Sequence, residues 1–268
     1  MKTETKAQEK LNRLLTILKD MRSVVIAFSG GVDSTFLLKA VKDSSIRHIA
    51  VTAYSETMPE SELKFAKEMA GFIGVNHRVI KSREIDNPAF AGNPKNRCFY
   101  CKDELFSMLS QIAREEGYNF VIDGSNADDL SDWRPGRDAA VKHKVISPLI
   151  EAGLSKSEIR ELSRRLGLPT WSKPASPCLS SRFPYGVKIT KDALKRVEIS
   201  EEFLKTLGFS ELRVRSCNDT ARIEVKVEEI EILLDKKIRE SIVKQLKDLG
   251  FKYVAVDIEG FRSGKLNS

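Results

Sequence analysis

The chain has 268 residues, 41% of them hydrophobic, enough for a packed core in one large or two smaller domains and too apolar for a disordered chain. Its 45 Lys and Arg against 38 Asp and Glu leave a formal charge of +7, which suits anionic partners such as ATP, a nucleotide-like substrate or RNA, and equally a lysine-rich surface. No secretory leader and no apolar run of membrane-spanning length is visible, so the expectation is a cytoplasmic protein with no membrane partner, whose four cysteines are ligands or catalysts in preference to disulfides.

Leu11, Leu14, Leu15 and Leu18 recur at helical spacing and predict a helix over Glu9 to Met21. Val24 to Phe28 reads as a buried strand, followed by Ser29-Gly30-Gly31-Val32-Asp33-Ser34 and an amphipathic helix from Thr35. His48 to Ala53 is a second strand, Pro59 to Gly71 a helix with a glycine stop, and Asn76 to Ile80 a third strand. This alternation predicts an α/β fold with a doubly wound parallel sheet that binds its ligand at the carboxyl ends of the strands, with Ser55 near the adenine. Asp86 to Arg97 reads as a loop, Cys98-Phe99-Tyr100-Cys101 as the start of a helix through Glu116, and Phe120 to Gly124 as a fourth strand. Val145 to Leu149 reads as a short strand, and Ser155 to Leu166 as a helix with the Ser155/Glu158 capping box. Trp171 to Gly186, broken by Pro174, Pro177 and Pro184, is a long loop of the functional kind. Beyond it, a helix (Asp192 to Leu207), two strands (Leu212 to Cys217, Ala221 to Val227), a helix (Glu228 to Leu249) and a strand (Tyr253 to Ile258) predict a smaller α+β domain. The expected division is therefore residues 1–186 and 187–268.

In the loop Ser29 to Ser34, adjacent glycines let main-chain N–H groups approach an anion, the serines add hydroxyls, and the next helix contributes its positive end. No lysine follows at the Walker spacing, which disfavours simple NTP hydrolysis, and no Rossmann fingerprint is present. The hexapeptide resembles the SGGxDS loop of PP-loop ATP pyrophosphatases, which split ATP between the α- and β-phosphates. That resemblance implies ATP contacts from Ala27, Ser29, Gly30, Gly31, Asp33, Ser34, Ser55 and Gly124.

Cys98 and Cys101 form a CxxC pair that can serve zinc, an iron–sulfur cluster, or a redox or persulfide-carrying site. Cys178, in the proline-bracketed loop, would return to the same sheet edge, and three thiolates without a fourth suit a [4Fe-4S] cluster with one open iron. Cys217 reads as a core residue, and His48, His77 and His143 as filler. Arg213 and Arg215 share one strand face, and Arg182 beside Ser180 and Ser181, with Arg262 near the end, are further anion candidates. Asp128, Asp129 and Glu201 are candidate Mg²⁺ ligands.

Over nearly its whole length the sequence resembles the LarE family of sulfur transferases of nickel-pincer cofactor biosynthesis. The matching stretches are the phosphate loop, Asp132-Trp133-Arg134-Pro135-Gly136, Ser180 to Gly186, Arg213-Val214-Arg215, Ala221 to Glu224, and Gly260 to Gly264. The resemblance implies ATP- and Mg²⁺-dependent adenylation of a carboxylate of a pyridinium-3,5-dicarboxylate mononucleotide, then displacement of AMP by sulfur. It gives Ser181, Arg182, Arg213, Arg215 and Arg262 the substrate and its phosphate, and implies a hexamer. The CxxC pair favours the type that transfers sulfide, or sulfur from a donor, held on a cluster bound by Cys98, Cys101 and Cys178. The alternatives are sacrifice of the Cys178 sulfur, or a tRNA thiolase; nucleic acid is not the expected partner.

Overall fold

The computed structural model describes residues 6–130 and 135–262 and divides into two compact units, Met1–Glu84 with Asn96–Ser176, and Ile85–Lys95 with Pro177–Ser268. Asp132, Trp133 and Arg134, and Ser263 and Gly264, singled out in the sequence, lie outside the described residues.

In the first unit α1 (Lys6–Met21) leads into β1 (Ser23–Ala27), then α2 (Val32–Asp43), β2 (Arg47–Tyr54), α3 (Glu60–Ile73) and β3 (His77–Lys81). After α4 (Pro88–Ala91), which belongs to the second unit, come α5 (Arg97–Glu116), β4 (Phe120–Ile122), α6 (Gly136–Lys142), α7 (Pro148–Glu151) and α8 (Lys156–Arg165). The four strands are parallel in the order β3-β2-β1-β4. Every residue of β1 is buried, and its side chains alternate between two cores. Val24 and Ile26 face the cluster of Leu14, Phe36 and Leu162, while Val25 and Ala27 face that of Phe106, Leu109 and Ala139. Apolar side chains on both faces are what a central strand of a doubly wound sheet requires, as the sequence predicts.

Local differences have local causes. The helix expected to stop at Gly71 runs on to Gly74, which adopts the left-handed conformation at φ 74°. The strand expected at Val145 to Leu149 reduces to a single bridge between Ile122 and Ile146, because Pro148 starts a helical turn instead. The expected helix Glu228 to Leu249 breaks at Asp235, whose carboxylate caps the N–H groups of Lys237 and Ile238; a 3₁₀ stretch, Val227–Leu234, precedes the break.

The second unit comprises α9 (Lys191–Thr206), β5 (Leu212–Cys217), β6 (Thr220–Val225), α10 (Lys236–Asp248) and β7 (Tyr253–Val256), with α4. Its sheet is mixed: β5 and β6 are antiparallel, β6 and β7 parallel. The 186/187 boundary read from the sequence lies inside this unit. Buried Asn93 explains why: its amide donates to the carbonyls of Phe183 (3.3 Å) and Pro184 (2.7 Å), and its own carbonyl accepts from Gly186 N (2.9 Å). These bonds tie residues 85–95 to the proline-rich loop.

Candidate active site

The first unit carries a cleft of about 300 Å³ at the carboxyl ends of β1, β2 and β4. Ala27, Ser29, Gly31, Asp33, Ser34 and Gly124 line it. Two glycines are required by geometry. Gly30 has φ +71°, and a Cβ there would lie 2.9 Å from Ala66 Cα; a Cβ on Gly124 would lie 3.0 Å from Ser34 Cα. Gly31 caps α2 in an extended conformation without a side-chain bond, so the helix presents its first-turn N–H groups to the cleft. The loop braces itself, with Ser29 Oγ 3.1 Å from Ser34 Oγ, and Ser34 Oγ donating to Gly31 O at 3.2 Å.

Asp33 is the most stressed group in this loop. One carboxylate oxygen accepts from Lys156 Nζ; the other is buried without a partner among the described residues. Burial pushes the Asp33 carboxyl above its ordinary range, against the opposing pull of Lys156. Lys156, the first residue of α8, is the cation that reading the loop alone could not supply. The Ser155/Glu158 capping box fixes its position, and its main-chain N–H donates to Asp128 Oδ2 at 2.9 Å. The signal was present in the sequence, since a capping box states where a helix starts, but not which distant loop that start faces.

Ser55 has a different place from the one expected. It is buried, with its hydroxyl donated to Glu84 Oε1, which also accepts from Thr57 Oγ1 at 2.7 Å. Ser55 thus fixes the turn that brings Met58 into the cleft wall, and does not itself line the cleft. Asp129 lines the cleft, and its Oδ2 accepts from Asn126 N at 3.0 Å. His143 Nε2 lies 2.8 Å from Asp103 Oδ1, and His77 Nε2 lies 2.8 Å from Thr52 Oγ1. Burial pushes the His77 ring below its ordinary pKa.

The CxxC pair occupies the first turns of α5, where a three-residue separation sets both side chains on one helix face. All four cysteines are thiols, Cys98 exposed and Cys101 half-buried. The next turn of α5 supplies Lys102 and Leu105 to the cleft, and Gly136, also in its wall, stands beside this turn: a Cβ there would meet Cys98 O at 3.7 Å. Among the described residues no group of three or more His, Cys, Asp or Glu side chains is gathered to hold a metal ion. The helix brings two thiols onto one face.

The second unit holds Cys178 at the start of a 3₁₀ turn, Leu179–Arg182. Two buried arginines grip this turn by its carbonyls. Arg182 donates to Pro177 O (2.7 Å) and Cys178 O (3.1 Å), Arg215 to Ser181 O (2.7 Å). Each arginine is in turn held by a carboxylate. Arg182 Nε and Nη2 meet the two oxygens of Glu201 at 2.9 and 2.8 Å, and Arg215 meets Glu224 at 3.0 Å. Glu201, read as a Mg²⁺ ligand, has both oxygens on Arg182 and accepts Val214 N at 3.0 Å besides. Ser181 Oγ accepts from Arg182 at 2.9 Å.

Arg213 stands apart. Among the described residues it bonds only the carbonyl of its neighbour Leu212, and it stacks 5.0 Å from the Phe261 ring. Burial, helped by the charge of Arg182, lowers its pKa to about 10, so a nearby anion would relieve it. Arg262 is exposed and 3.8 Å from Glu259.

A parallel doubly wound sheet with an uncapped glycine loop at its carboxyl edge defines a nucleotide-binding enzyme of the PP-loop ATP pyrophosphatase class. The Asparagine synthase family matches residues 16–132. The chain is 44% identical over 261 residues to "Uncharacterized protein slr1717" of Synechocystis, covering 97% of each. It is 38% identical to the pyridinium-3,5-bisthiocarboxylic acid mononucleotide synthase of Lactiplantibacillus plantarum, over 95% of this chain and 92% of that one. To "Uncharacterized protein MJ0830" of Methanocaldococcus jannaschii it is 31% identical, over 95% and 98%. The chain belongs to the LarE-like family of PP-loop ATP pyrophosphatases. No helix among the described residues is long and apolar enough to cross a membrane.

Proposed function

We propose that this enzyme converts a carboxylate of pyridinium-3,5-biscarboxylic acid mononucleotide into a thiocarboxylate with ATP. The carboxylate oxygen attacks the α-phosphorus, the α–β bond breaks, and pyrophosphate leaves against the glycine loop, the α2 N-terminus and Lys156. Mg²⁺ would share the pyrophosphate charge. Sulfur then displaces AMP at the acyl carbon. The cleft in the first unit carries this reading: its phosphate loop is ready for an anion, and a turn bearing two thiols abuts its wall. Arg213, without a hydrogen-bonded carboxylate among the described residues, suits the phosphate of the mononucleotide; Arg262 is the second candidate. The cytoplasmic location expected from the sequence and the hexamer implied by the family resemblance are part of the same proposal.

The sulfur source we propose is sulfide on a [4Fe-4S] cluster held by Cys98, Cys101 and Cys178. Such a cluster, when bound, supplies an open iron for the sulfide. Cys98 and Cys101 fit two of its ligands by sharing a helix face. The second reading, donation of the Cys178 sulfur itself, is favoured by the grip of Arg182 on the Cys178 carbonyl. Iron and acid-labile sulfide measured on protein purified without oxygen separate the two. About four irons per chain, lost in Cys98→Ala while substrate-dependent AMP formation persists, is the expected result. Iron-free protein that performs one transfer and loses the Cys178 sulfur would replace the cluster with the sacrificial route.

A further inference from the structure

The cleft of the first unit is also walled by α5 and α6, and these helices bring two cations to it, Lys102 and Arg137. Both are half-buried. The backbone makes room for the first: Gly136 opens α6 without a side chain, and a Cβ there would crowd Lys102 Cγ at 3.0 Å. The Lys102 ammonium lies over the Phe106 ring, 5.2 Å from its centre and one turn further along α5. Among the described residues Arg137 makes one long hydrogen bond, from Nη1 to Asp129 O at 3.4 Å.

No carboxylate among the described residues is bonded to either cation. Asp103, next to Lys102 in the chain, is taken by Lys142 (2.7 Å) and His143 (2.8 Å), contacts that fasten α6 to α5. Three carboxylates among the described residues line the cleft, and each is engaged elsewhere. Asp33 holds Lys156. Asp123 accepts from Ser125 N (3.2 Å), Ser125 Oγ (2.7 Å) and Ser147 Oγ (2.7 Å), and Asp129 accepts from Asn126 N at 3.0 Å. Two half-buried cations without a bonded counter-charge favour an anion in the cleft.

Position selects which anion. The glycine loop, the α2 N-terminus and Lys156 serve the pyrophosphate, whereas Lys102 directly follows Cys101 on the turn that carries both thiols. In an acyl adenylate the α-phosphorus is one oxygen away from the acyl carbon. A seat beside the thiols is therefore where the α-phosphate lies when sulfur attacks. Building on the adenylation described above, we propose that Lys102 and Arg137 hold the α-phosphate of the adenylate and receive it as AMP. In that step the C–S bond forms, the C–O bond to the phosphate breaks, and its electron pair leaves on AMP, whose phosphate passes from one negative charge to two. Cations already in place where that charge grows lower the barrier to its departure.

Calorimetric titration of the full-length protein with AMP, adenosine and magnesium pyrophosphate, each alone, tests the assignment. Lys102→Met and Arg137→Met are each expected to weaken AMP about tenfold or more, the scale of one hydrogen bond to a charged group, and to leave adenosine and pyrophosphate unchanged. Lys156→Met is expected to do the reverse, weakening pyrophosphate and sparing AMP. Unchanged AMP affinity in both variants, adenosine lost in step with AMP, as a merely structural role would give, or pyrophosphate weakened as much as AMP would overturn the seat. The pyridinium substrate takes no part in these titrations. A wild type that binds as expected yet yields no thiocarboxylate would thus refute the proposed reaction and not the AMP seat.

Discussion

The glycine loop and the arginine network treat charge in opposite ways. Around the loop, polar capacity is left open: among the described residues α2 has no side-chain cap and one oxygen of Asp33 is buried without a partner. In the network, Arg182 and Arg215 are matched by Glu201 and Glu224, all four buried. Open capacity marks where a ligand belongs, and matched charge marks scaffold. By this standard Arg182 and Arg215, which resemble anion ligands in the sequence, hold the Cys178 turn, and Arg213 is the network's candidate for the substrate.

Removing one side of a matched pair should do the most damage. Glu224→Ala leaves Arg215 buried beside an empty space and is expected to cost about 3–5 kcal/mol in urea unfolding. A cost under about 1 kcal/mol would mean the network is solvated and the contrast with the loop false. Next comes the loop's own cation. Lys156→Met is expected to lower AMP formation roughly 100-fold, the scale set by losing one preorganised donor, and to lower the unfolding midpoint at neutral pH as well, because the Asp33 carboxylate loses its cation. An unchanged rate would remove Lys156 from the chemistry.

The smallest effect tests the stress on Asp33. Burial raises its native carboxyl above the unfolded value, so the native state binds more protons between the two values and stability falls as pH rises through that window. The cost is absent below the ordinary carboxylate range and complete above the raised value. Asp33→Asn, without nucleotide, should therefore gain thermal stability over wild type from about pH 4 upward, then hold a constant lead. A lead that does not change with pH would show that Lys156 fully compensates the buried charge.

What could be read from the sequence was local. Strand β1, the glycine loop, the start of α5 at the cysteines and the capping box of α8 each declare themselves within a few residues. The missed features join residues far apart: Lys156 to Asp33, Ser55 to Glu84, Arg182 to Glu201. No periodicity carries such pairings, so an arginine destined for a buried glutamate looks the same as one destined for a phosphate. Proline at 148 and aspartate at 235 are intermediate cases, where a turn signal was visible but a longer apolar run outweighed it.

The division of the chain has a consequence for its synthesis. Residues 85–95 emerge from the ribosome early, yet their partners Phe183, Pro184 and Gly186 are made about a hundred residues later. The first unit can close around its sheet once residue 176 is available, with those eleven residues carried as an unanchored loop. Asn93, buried in the finished protein, is thus among the last groups to leave water. A nascent chain should pass through a protease-sensitive stage at this loop that ends only when the C-terminal segment arrives.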